Sequence, residues 1–145
     1  MNTENKPTVM ELQRAQVFHR DAEDWLSEID FMEDEMAFFG ELLKNYFMAL
    51  AEKDWDEEKV LIKHRRMITT EIELMRQRIN EHHGHLTTLI DQAHPESQER
   101  ALEAEHYEVA TGFKELRKEF NRYKKDLFTN VGEVLKEKKQ KRLTH

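Results

Sequence analysis

Eight histidines accompany thirty aspartates and glutamates in this chain, and cysteine is absent. Imidazole and carboxylate together can ligate zinc or iron or relay protons, whereas a chain without cysteine can build no thiolate site, disulfide or thiol nucleophile. The segment Glu103-Ala104-Glu105-His106 holds a Glu-x-x-His spacing. That spacing puts a carboxylate and an imidazole on one helical face, and helical-bundle di-iron proteins use it twice. No second copy accompanies it around His82, and no carboxylate occupies the matching seam of the first helical segment, so a di-metal site lacks half its ligands. His82, His106 and Glu103 remain candidate ligands for a single divalent metal such as zinc, with His85, Asp21, Asp24, Glu28 and Glu105 nearby. The alternative is a pair of core-edge histidines satisfied by carboxylates or water, or a layer that titrates near neutrality.

Few other residues invite chemistry. The four glycines, at 40, 84, 112 and 132, are isolated within helical patterns, so no glycine-rich phosphate cradle can form. No nucleophile elbow or catalytic triad is recognisable, and the expectation is a protein that is not an enzyme. Arg65 interrupts an apolar seam and must reach solvent or a carboxylate; Glu41 and Asp126 are within reach for a register-setting ion pair, an anion site being the alternative. The tail Lys136-Glu137-Lys138-Lys139-Gln140-Lys141-Arg142 complements a helix C-terminus and the acidic stretch Asp54, Asp56, Glu57, Glu58; nucleic-acid or membrane contact is the lesser reading.

Positioning these side chains requires regular elements, and the spacing of apolar residues supplies them. Residues that recur alternately three and four apart mark one face of an α-helix. The first seam is Ala15, Phe18, Ala22, Trp25, Ile29, Met32, Met36, Phe39, Leu43, Tyr46, Leu50. The second is Leu61, Arg65, Ile68, Ile72, Met75, Ile79, His82, Leu86, Leu89. The third is Leu102, His106, Val109, Phe113, Leu116, Phe120, Tyr123, Leu127, Asn130, Val134. The pattern predicts helices over about 8–51, 55–92 and 95–140 in one domain spanning 1–145, an elongated antiparallel up-down-up three-helix bundle with coiled-coil-like packing. Thr8 and Glu11 suit a capping box, and Ala93-His94-Pro95-Glu96 a break. The first turn, near 51–55 with Asp54 as N-cap, has as its rival one continuous helix. From the helical rise, partners across the first turn should have numbers adding to about 107, and across the second to about 187. That arithmetic puts His82, His106 and Trp25 in one layer.

Surplus apolar residues carry the functional expectation. Phe31 and Phe38, seven apart with Leu42 beside them, lie off the first seam, and Val60, Met67 and Leu74, also seven apart, lie off the second. The corresponding strip of the third helix, Ala101, Glu108, Glu115, Arg122 and Thr129, is polar. Thick bundles bury more than two positions per heptad, but contiguous apolar strips more often border a groove that receives a helix. A second copy of the chain is the simplest occupant and another helical protein the next. The chain is therefore expected to be a non-enzymatic helical interaction or scaffold protein that self-associates or accepts a partner helix, with no cofactor. The alternative is a metal-binding bundle.

Composition agrees with helices: charged residues make up 37 %, with only four Gly and two Pro. The net charge is −7, and residues 1–50 carry 11 acids against 4 bases while 96–145 carry 10 against 12. An acidic chain is a poor ligand for phosphate backbones, so no nucleic acid is expected. The longest apolar run, Tyr46 to Ala51, is too short for a membrane span, and a soluble cytoplasmic protein is the expectation. The stretch Phe18-His19-Arg20-Asp21-Ala22-Glu23-Asp24-Trp25-Leu26-Ser27-Glu28 resembles the first helix of a spectrin repeat, a family of three-helix bundles with a core Trp at that place. The likeness covers these eleven residues and implies packing around Trp25, with no function carried across.

Overall fold

A computed structural model describes residues 9–91 and 96–143, with side chains at 12–91 and 99–143. The chain forms α1 (Val9–Lys53), α2 (Trp55–Asp91) and α3 (Glu96–Leu143), so the fold is all-α, and no strand occurs among the described residues. The capping box at Thr8 and the break at Ala93-His94-Pro95 lie outside the described residues.

A single residue, Asp54, separates α1 from α2. Its N–H donates to the Leu50 carbonyl at 2.9 Å and closes the last turn of α1, while its carbonyl accepts from the Glu58 N–H at 3.1 Å. Its carboxylate Oδ1 accepts the Glu57 N–H at 3.0 Å, an N-cap that satisfies one of the free amides opening α2. Asp56, Glu57 and Glu58 in that first turn place negative charge where the helix dipole favours it. Capping thus breaks the helix here without glycine or proline.

The residues form two compact units, Met1–Phe31 with Ile72–Glu115, and Met32–Glu71 with Leu116–His145. The first has a core of Ala22, Ile29, Ile72, Ile79, Leu86, Val109 and Phe113, closed by His82 and His106. In the second, Phe39 is the hub, with Phe120, Tyr123 and Phe128 at ring-centroid distances of 5.5–6.0 Å. Met36, Leu61, Ile68, Leu127 and Val134 are buried in the same unit. Each fully buried Ile or Leu contributes about 2 kcal/mol from water-excluded area.

One seam position differs from expectation, and one charged residue outside the seams is buried. Val131 is buried in place of Asn130, whose side-chain amide donates to the Asp126 carbonyl at 2.8 Å. After Leu127, a step of 3.6 residues falls between 130 and 131, and the apolar side chain takes the core. Glu58 is 2 % exposed although it is charged, because it lies three residues before Leu61 on the same face.

Candidate functional site

In the first unit, α2 and α3 bring His82 and His106 together, as their places in the two seams require. His82 Nε2 and His106 Nδ1 are 2.8 Å apart. The outer nitrogens meet carboxylates: His82 Nδ1 lies 2.6 Å from Glu105 Oε1, and His106 Nε2 lies 3.1 Å from Asp21 Oδ2 on α1. His85 Nδ1 also reaches Glu105, at 2.9 Å. Phe18 stacks on the His106 ring at 3.9 Å between centroids, and Trp25 at 4.9 Å. Trp25 is half-buried and shares the histidine layer. Glu103 does not join it. It pairs with Arg14 at 3.2 Å, because the carboxylates that converge on the rings are Glu105, next to His106 in sequence, and Asp21.

Counting protons shows what this row can do. With both carboxylates ionised, each outer ring nitrogen must donate, and one further proton must lie between the two inner nitrogens. Three protons on four nitrogens give the pair one positive charge. With two, acceptor faces acceptor; with four, donor faces donor. Burial lowers the His106 pKa, as does the charge of His82, while Asp21 works to raise it. Burial alone would raise the Glu105 carboxyl, but hydrogen bonds from His85 and His82 outweigh it and hold the group below its ordinary range. With three protons the row satisfies its own buried polar groups, each ring nitrogen of His82 and His106 having a partner.

The apolar strips remain in solvent. Phe31 is 65 % exposed, Phe38 57 %, Val60 56 %, Met67 56 % and Leu74 49 %, and Leu42 is partly buried. Phe31 and Leu74 belong to the first unit, the other four to the second. In the second unit Phe38 packs edge-on against Phe39, which packs edge-on against Phe128 of α3. Glu35, one turn from Phe38, pairs with Lys124 of α3 at 2.7 Å. On α2, His64, one turn from Met67, lies 3.4 Å from Glu119 of α3. In the second unit, Phe38 and Met67 thus each lie one helical turn from a residue that pairs with α3. Phe128, packed against Phe39, is itself more than 40 % exposed and extends the apolar surface of this unit; spacing within a single helix does not reveal it.

Arg65 makes no ion pair with Glu41, Asp126 or any other described carboxylate. Its guanidinium lies over Gly40, where an added Cβ would sit 2.5 Å from Nη2, and a residue without a side chain makes that room. The Arg65 Nε and the Tyr123 hydroxyl are buried without a hydrogen-bond partner. Burial pushes the Tyr123 phenol up to about 12 against the opposing charge of Arg65. In the basic tail, Lys138 lies 5.3 Å above the Tyr46 ring, and nearby Lys53 pairs with Glu133. No helix among the described residues is long and apolar enough to cross a membrane. No protein-family model, curated protein or solved structure matches the chain.

Proposed function

We propose that the chain is a non-enzymatic helical interaction protein that self-associates, its contact made by the apolar strips of α1 and α2. The observation that carries this reading is the solvent exposure of five large apolar side chains, Phe31, Phe38, Val60, Met67 and Leu74, at seven-residue spacing on two helices. Periodic apolar exposure is what a helix-to-helix contact uses, and scattered surface apolars do not share a register. An isologous pair of copies needs no further partner. An up-down-up course of the helices is part of the reading. Within the first unit, the α2 partners of His19 and Asp30 fall in reverse order, at Thr87 and Arg76, and the α3 partners of Arg14 and Asp21 rise from Glu103 to His106.

Analytical ultracentrifugation tests the proposal. The expected result is a mass of two chains at micromolar concentration for the wild type, with Phe38→Asp or Met67→Asp reducing it to one. Both side chains are exposed, so the helices survive these changes, and circular dichroism verifies that. A wild-type mass of one chain ends the proposal. If only one substitution dissociates the pair, the strip that carries it is the contact.

A further inference from the structure

Beside the histidine row, beginning at the residue after His82, a second cluster has a hydrogen-bond count that does not close with neutral side chains. The Thr87 hydroxyl donates its single proton to the His83 carbonyl at 2.9 Å, and the same oxygen lies 3.1 Å from His19 Nε2. Towards His19 it can therefore only accept, so Nε2 carries the ring hydrogen. The other nitrogen, Nδ1, lies 2.9 Å from Glu23 Oε1, four residues along the same face of α1. In the neutral ring this nitrogen is a lone pair directed at a carboxylate, and two acceptors approach so closely only with a cation between them.

A proton would serve for these two groups alone, but a third donor converges. The His83 ring of α2 lies 4.0 Å from that of His19, and one donor atom from each of His19, Glu23 and His83 lies within 4.8 Å of the other two. Among the described residues none hydrogen-bonds the His83 ring. Donors around one tetrahedral zinc ion lie about 3.4 Å apart, given bond lengths near 2.0–2.1 Å, so small side-chain rotations close the set.

We propose that His19, Glu23 and His83 form a mononuclear binding site for a zinc-like divalent ion, with Thr87 orienting His19 and a fourth position open to water. Two imidazoles and one carboxylate suit zinc rather than calcium or magnesium, which prefer oxygen. The His19 side chain is about one-quarter exposed and that of Glu23 more than half, so an ion and its water can enter from solvent. Thr87 fills the place of the outer hydrogen-bond partner that metal-bound histidines use to fix their tautomer. This site is separate from the His82–His106 row, where both nitrogens of each ring are already used.

The test uses the full chain purified without a metal-affinity tag. Zinc binding is followed by calorimetry and cobalt(II) binding by the absorption of a tetrahedral ion. The expected result is one ion per chain, with binding weakened at least tenfold by Glu23→Gln and by His83→Ala and about tenfold by Thr87→Val. Glu105→Gln, in the other row, leaves it unchanged. Because Glu23 faces solvent, its replacement by Gln keeps the helix intact, and circular dichroism separates lost binding from lost folding. Absence of wild-type binding, an affinity unchanged in Glu23→Gln and His83→Ala, or loss of binding in Glu105→Gln overturns the assignment.

Discussion

Glu58 shows how a single residue can work against the fold that contains it. Both carboxylate oxygens are buried without a hydrogen-bond partner. The opening turn of α2 favours negative charge by less than about 1 kcal/mol, whereas an unpaired buried polar group costs about 1–3 kcal/mol and a charged one more. Desolvation wins, and the Glu58 pKa rises above its ordinary value of 4.5. A carboxyl that holds its proton more tightly in the native state contributes stability that is complete below its unfolded value and is lost as pH rises through the native one. Glu58→Gln is therefore expected to stabilise the chain by about 1 kcal/mol at pH 7, an advantage that disappears in acid below the unfolded carboxyl value. Urea denaturation at the two pH values measures it. Lower stability of the variant at neutral pH would mean that the charge at the helix end outweighs its burial.

At the scale of elements, glycines separate helix propensity from packing. Gly132 lies within α3, and a Cβ there meets nothing within 4 Å, whereas a Cβ at Gly40 meets the Arg65 guanidinium. Gly132→Ala should stabilise the chain by about 1 kcal/mol, the ordinary difference between the two residues in a helix interior. Gly40→Ala should gain less or lose stability, since Arg65 must move off α1. Thermal unfolding of the two variants makes the comparison, and equal gains would show that Arg65 swings away freely. The same contrast explains how far the sequence could be read. The seams were legible because apolar residues repeat with the helical period, and Asp54 was legible as a cap because the polar run Glu52 to Lys59 follows a shift in seam phase. The position of Arg65 was not, because it depends on a side chain absent from a different helix. Glu58 was in phase with Leu61 and could have been found by extending the second seam one step back. The His82–His106 pair followed from layer arithmetic, but His19 and His83 lie off the seams, and only the four-residue spacing of His19 and Glu23 hinted at them.

For the whole molecule, self-association sets apolar contact against charge. Each chain carries a net charge of −7, so a pair concentrates negative charge and the apolar strips must overcome the repulsion. Salt screens that repulsion over roughly 8–10 Å at ordinary ionic strength. If the association is apolar, added salt should tighten it, the reverse of what an ion-paired contact would do. Dimerisation also couples to folding, since the paired state binds a second folded copy that the unfolded chain cannot. A hundredfold rise in protein concentration then shifts the balance towards the folded pair by about 2.7 kcal/mol of dimer, enough to raise the melting temperature by several degrees. Phe38→Asp should flatten this dependence while leaving the dilute wild-type and variant chains close in stability, because Phe38 is exposed in the single chain. A melting temperature independent of concentration in the wild type would leave the strips without a second copy to cover them. One that falls with added salt would assign the contact to charge instead of to Phe38 and Met67.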